Sequence, residues 1–232
     1  LNLFKKHGWS VHYKVDLLDA EGPDMVLEIK NHKRIIFNGD GYSEEWKQEA
    51  ARRGLTNICH VPEAIMKFNA PQSKAVLLGE NIFNENELNC RIEVELEKFT
   101  KKVQIESRVL GDLAINHIIP TAVIYQNRLL ENLRGLRETF SPEEYEQLGA
   151  DRRELVKDIQ IRILAIKQLV RKMTEARKIS NHLPSQIEKA FSYADTVRPY
   201  LDEIRDHIDQ LELEIDDEIW PLPKYRELLF TK

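Results

Sequence analysis

The chain has 232 residues, 42% hydrophobic and 31% charged, with a net charge of −5. It is long enough to bury a real core in one or two domains, and its acidic balance argues against a general nucleic-acid binder held by phosphate contacts. The longest apolar runs, such as Ile163 to Ile166, have four residues, which excludes a transmembrane helix, and two cysteines, Cys59 and Cys90, make no disulfide framework and point to a reducing cytoplasm.

The chain starts at Leu1 rather than Met and is read as a fragment of something longer. Its nine glycines all lie at or before Gly149, so the last third lacks the residue that most readily permits turns. That asymmetry predicts a short, mixed, looped beginning and a long-helix remainder. Arg34 to Phe37 reads as a buried strand. Asn38-Gly39-Asp40-Gly41 reads as a tight turn with glycine in left-handed conformations. Ser43 is placed as the cap of a helix to about Arg53, with Glu44 and Glu45 in its first turn and Gly54 as its C-terminal stop. Pro62 opens a short helix, and Pro71 to Asn84 reads as loop.

From Glu85 the apolar spacing is helical: Leu88, Ile92, Leu96, Phe99, Val103, Leu110, Leu113 and Ile118. Pro120 predicts a kink or break near Ile118-Ile119, with helix resuming to about Glu138. Ser141-Pro142-Glu143-Glu144 is a capping box with proline in the first turn, opening a helix to about Ile179 with a stripe at Leu155, Ile159, Ile163, Ile166, Val170 and Met173. Asn181 to Pro184 breaks it, and Ser185 to Glu188 is a second capping box. The last helix carries Val197, Leu201, Ile204, Ile208, Leu211, Ile215 and Ile219, close to a heptad seam. Trp220-Pro221-Leu222-Pro223 ends the bundle.

Charge predicts that the last two helices pair. Asp151 to Lys178 holds nine Lys or Arg against four Asp or Glu, a balance of +5; Asp202 to Glu218 holds nine acids against one Arg, a balance of −8. A short connection makes consecutive helices antiparallel neighbours, and opposite-charged edges then select the partner.

Catalytic chemistry finds little support in the residues. The Asn38 to Gly41 turn has neither phosphate-loop nor dinucleotide spacing, and Asp40 would repel a phosphate. Histidines stand at 7, 12, 32, 60, 117, 182 and 207 with neither Glu-x-x-His nor His-Glu-x-x-His spacing, and Cys59-His60 reads as a satisfied loop rather than a zinc site. The basic helix is open to an acidic partner or nucleic acid, but its acidic neighbour favours internal pairing. No catalytic, cofactor-binding or metal-binding residue is assigned.

Particular residues carry more. Arg34 to Trp46 reads RIIFNGDGYSEEW. Downstream come Glu49-Ala50, Arg52-Arg53-Gly54-Leu55, Asn57, Pro62-Glu63-Ala64-Ile65, Phe83, Ile105-Glu106 and Ile118-Ile119-Pro120 before Tyr125. The end runs from Glu218-Ile219-Trp220-Pro221-Leu222-Pro223-Lys224-Tyr225 to Leu228-Leu229-Phe230. This set resembles type III glutamine synthetases over roughly Met25 to Phe230, while residues 1–24 depart from the pattern. The resemblance implies the C-terminal portion of a large, cytoplasmic, oligomeric ligase that joins ammonia to glutamate using ATP and Mg. The family's catalytic motifs lie upstream, so none is carried over. Asn38, Gly39, Asp40, Gly41, Tyr42 and Trp46 match a family motif of unknown role.

The expected fold is therefore mainly α: 1–24 unassigned, 25–84 a small mixed α/β remnant of the catalytic region, and 85–232 a C-terminal bundle of long helices. The expected function is a scaffold and oligomerisation region, not catalytic alone, with no cofactor of its own. Its expected partners are the rest of its own catalytic domain and further copies of itself, without a membrane and without nucleic acid. The alternative is a regulatory or adaptor bundle that binds a protein or nucleic acid through its basic helix.

Overall fold

A computed structural model of the chain describes residues 39–228. The expected strand at Arg34 to Phe37 and the segment 1–24 lie outside them. Among the described residues all regular structure is helical and no strand occurs. The chain divides into two compact units, Leu1–Asn57 and Ile58–Lys232.

In the first unit, α1 (Glu44–Arg52) begins and ends on side chains and glycine as the sequence predicts. Ser43 caps it by accepting from the Trp46 N–H at 3.2 Å. At the other end Gly54 takes φ +69°, the Gly54 N–H reaches the Ala51 carbonyl at 3.1 Å, and the Leu55 N–H reaches Ala50 at 2.9 Å. These paired bonds satisfy the last carbonyls and need the left-handed residue that glycine supplies.

In the second unit, α2 (Val61–Met66) leads through a 3₁₀ turn at Lys67–Asn69 into α3 (Pro71–Gly79). The loop expected at Pro71 to Asn84 is thus a helix for most of its length. Pro71 occupies its first turn, where a missing N–H costs nothing, and Leu77 and Leu78 are held against the core. The long α4 (Glu85–Leu113) opens on a complete capping box between Asn84 and Glu87, and buries Leu88, Ile92, Leu96, Phe99 and Val103 in the predicted stripe.

Pro120 does not break the helix. A π-helical turn at Ala114–Ile118 carries α4 directly into α5 (Ile119–Thr139), so the helical run is roughly 80 Å long. A proline has no N–H and its ring collides with the preceding turn. The wider turn, in which the Ile119 N–H bonds to the Ala114 carbonyl, makes room. The same solution recurs at Pro199: a π turn at Tyr193–Val197 separates α8 (Gln186–Ser192) from α9 (Arg198–Glu214). In both places the π turn ends two residues before the proline.

The helix expected from Ser141 to Ile179 is two helices, α6 (Pro142–Leu148) and α7 (Ala150–Asn181). The Ser141 capping box forms in full. The chain bends at Gly149, where a Cβ would lie 3.0 Å from the Tyr145 carbonyl oxygen and 3.3 Å from Leu133 Cδ2. Arg153 reaches back to the Glu146 carbonyl at 2.9 Å, so the end of α6 is closed by a guanidinium rather than by continued helix. Of the second predicted box only the hydroxyl half forms, Ser185 accepting from the Glu188 N–H at 3.1 Å. The last helix also stops earlier than its seam suggests: Ile215 is extended and Ile219 lies in the following turn, although both still face the core.

The core joins α4, α5, α7, α8 and α9. Leu96, Ile118, Ile159, Ile166, Tyr193, Val197, Ile204 and Leu211 are almost wholly buried. Each such aliphatic side chain contributes about 1.5–3 kcal/mol of burial. One polar layer crosses it. The Tyr193 hydroxyl donates to Asn181 Oδ1 at 2.7 Å, Gln104 Nε2 donates to the same oxygen at 3.3 Å, Ser180 meets Ser192 at 2.7 Å, and Gln186 Nε2 donates to Thr100 Oγ1 at 3.1 Å.

Candidate functional site

The family-motif turn spends its polar groups on itself. Asp40 Oδ1 accepts from the Tyr42 N–H at 2.9 Å, and the Asp40 carbonyl accepts from the Ser43 hydroxyl at 2.8 Å. Gly39, Gly41 and Tyr42 are exposed, Trp46 is half-buried, and Asn38 lies outside the described residues. Contrary to expectation, Gly41 is not left-handed. The Asp40 side chain closes the turn instead, as an aspartate does by bonding two residues on. An anion seated here would have to compete with that carboxylate for the Tyr42 N–H. Farther along α1, Arg52 and then Arg53 hydrogen-bond Glu49 and hold its carboxyl down to about 2.

His60, singled out beside Cys59, is fully used within the bundle. Its Nδ1 accepts from the Glu63 N–H at 3.3 Å and caps α2, its Nε2 lies 3.0 Å from Asp195 Oδ1, and its ring lies 5.1 Å from that of Phe191. Among the described residues no three His, Cys, Asp or Glu side chains converge to hold a metal ion, and no helix is long and apolar enough to cross a membrane.

The charged helices are neighbours, as their opposite balances predict, but one ion pair alone among the described residues joins them. Arg162 Nε of α7 lies 3.6 Å from Glu214 Oε1 of α9, both side chains about three-quarters buried. Arg162 Nε and Glu214 Oε2 make no hydrogen bond. Burial pushes the Glu214 carboxyl up; Arg162 opposes the shift and Asp158 adds to it. Arg171, farther along α7, is exposed and lines a shallow cleft with Ile115 and Thr174. Lys157, Lys167 and Lys172 also point outward from α7, as Asp202, Glu203, Asp206 and Asp209 do from α9.

This geometry predicts a double-mutant cycle. Arg162→Leu or Glu214→Leu alone strands a largely buried charge and should cost about 1–3 kcal/mol in urea denaturation, while the double variant should recover most of it. The pH sign follows from the raised carboxyl. The folded state holds that proton more tightly than the unfolded one, so the contribution is present at low pH and lost as pH rises through the folded value. Arg162→Leu should steepen that loss.

The sequence missed the lock at the chain's end. Lys224, only 14% exposed at its side chain, donates Nζ to the Glu212 carbonyl at 2.7 Å and the Ile215 carbonyl at 3.4 Å. It also pairs with Asp217 and sits 6.0 Å from the centre of the Trp220 ring. An ammonium thus closes the C-terminus of α9, where the helix dipole favours a cation. Arg128 of α5 holds the same turn through Asp216 at 3.5 Å. The visible signal was a basic residue just beyond an acidic helix and a Pro-x-Pro turn.

Residues 25–137 match the model of the glutamine synthetase C-terminal domain. A glutamine synthetase of Bacteroides fragilis is 74% identical over 198 residues, 85% of this chain and 27% of that protein. A type-3 glutamine synthetase of Dictyostelium discoideum is 30% identical over 87% of this chain and 27% of its own length. A glutamine synthetase of Butyrivibrio fibrisolvens is 27% identical over 94% of this chain and 31% of its own. The chain therefore spans between 27% and 31% of the length of these curated relatives, within their C-terminal part. On these matches, the chain belongs to the glutamine synthetase C-terminal domain family.

Proposed function

We infer that this chain is the C-terminal scaffold of a type III glutamine synthetase, an ATP- and Mg-dependent, cytoplasmic ligase of nitrogen metabolism that joins ammonia to glutamate. The observation that carries the reading is the 74% identity to a glutamine synthetase over most of this chain and only 27% of that relative. The type III assignment is supported by the 30% match to a relative of that type. In this reading nucleotide, metal and glutamate belong to the rest of the protein. The segment described here supports the catalytic portion and the assembly of subunits.

Two measurements test it. The purified 232-residue chain should form no glutamine from glutamate, ammonia and Mg-ATP, and calorimetry should register no Mg-ATP binding; turnover by the chain alone would defeat the reading. Joined to the catalytic portion, the chain should restore an active enzyme whose mass exceeds one subunit. The same enzyme ending before Ile58 should lose both activity and assembly.

A further inference from the structure

We propose that the outer face of α7 docks on the outer face of α9 in a second copy of this chain, giving the scaffold reading above a specific contact. Two apolar side chains on the outside of α7, Ile161 and Leu164, are each 50% exposed. Beyond them along the helix lie Lys167, Arg171 and Lys172, exposed and without an ion pair among the described residues. On the outside of α9 the order is reversed. Asp202, Glu203, Asp206 and Asp209 come first, and Leu213 follows, 78% exposed. Asp209 meets Arg205 of its own helix, while the other three make no ion pair among the described residues.

The spacing of the two faces agrees. Leu164 and Arg171 are seven residues apart, as are Asp206 and Leu213, which is about two helical turns and keeps each pair on one face. Laid antiparallel with Leu213 against Leu164, α9 of one copy brings Asp206 to Arg171 and Asp209 to Lys167 of the other. A small apolar centre would then be flanked by opposite charges. The two faces cannot satisfy each other within one copy, because there α7 and α9 already pack through their inner sides with Arg162 and Glu214 between them. The contact joins unlike patches, so it closes either as a pair with two such contacts or as a ring.

The test uses the intact 232-residue chain in sedimentation equilibrium. At low salt its mass should be two or more times 27.2 kDa, falling toward one copy at about 0.5 M salt, where exposed charges are screened within a few ångströms. The variant K167E/R171E and the variant D206K/D209K, each checked for helix content by circular dichroism, should remain single copies. Mixed in equal amounts they should associate again, because each supplies the charge that the other has lost. A single-copy mass for the unchanged chain at low salt would overturn the proposal. So would undiminished association of either variant, or no association in the mixture. None of these results would touch the glutamine-forming assay, so the scaffold assignment and this contact fail separately.

Discussion

Trp220→Ala should lower the unfolding free energy of the chain by about 3–5 kcal/mol, the cost of emptying a large aromatic site in a packed interior. Trp220 is 8% exposed and closes the end of the core against which Ile215, Ile219 and Leu222 also pack. Its indole Nε1 is buried and makes no hydrogen bond. Trp220→Phe therefore forfeits only area and fit, and should cost roughly 1–2 kcal/mol. Lys224→Met tests the other half of the lock. It keeps most of the stem's volume, removes the charged bonds to the Glu212 and Ile215 carbonyls, and leaves Asp217 without its ammonium. A loss of about 2 kcal/mol is expected, since hydrogen bonds from a charged donor contribute roughly 1.5–3 kcal/mol. Urea denaturation followed by circular dichroism measures all three variants. Equal midpoints for Trp220→Ala and the unchanged chain would mean that this end does not hold α9 in place.

The second large effect is expected at Tyr193, which is wholly buried at the start of the second π turn. Tyr193→Ala removes a ring from the centre of the bundle and should cost about 3–5 kcal/mol. Tyr193→Phe keeps the ring but strips Asn181 of its 2.7 Å bond, leaving Gln104 as that oxygen's remaining donor at 3.3 Å. About 1–2 kcal/mol should be lost. Burial pushes the Tyr193 hydroxyl up, against the pull of Arg177 and Arg108 nearby. The phenol therefore stays protonated, and the bond to Asn181 intact, beyond the pH at which a free tyrosine ionises. An absorbance titration of the phenolate should show one tyrosine titrating late, and Tyr193→Phe should abolish that late step.

The main architecture was legible because it rests on short-range periodicity. The stripe from Leu88 to Val103, the seam from Val197 to Leu211, the Ser43 and Ser141 caps and the Gly54 stop all depend on neighbours within a few residues. The misreadings have a common cause in tertiary contact. Pro71 to Gly79 lacks a strong amphipathic signal and is helical with Leu77 and Leu78 on the core. At Gly149 a side chain would meet Leu133, sixteen residues earlier, as well as the Tyr145 carbonyl. The charge balances named the right helix partners, yet could not say that most of those charges point away from each other. Lys224 and the Tyr193 layer were invisible for the same reason: their partners are set by how the helices stack. At the candidate site, the composition of the Asn38 to Gly41 segment signalled a turn. The device that closes it, an aspartate rather than a left-handed Gly41, took coordinates to see.

The two π turns have a consequence for how this chain tolerates change in length. Each holds one residue more than the α-turn it replaces, and one residue is worth about 100° of rotation. Deleting a single position within Ala114–Ile118 would restore a plain α-helix that Pro120 opposes. A residue added outside the two turns, with nothing to absorb it, would swing everything downstream by more than a quarter of a revolution, carrying Ala122 and Leu133 off the core. Substitutions on the outer surface of the same turn leave that phase untouched. The helices are thus indifferent to much of their composition but not to their count, and the two prolines act as phase marks against which the apolar stripes on either side are set.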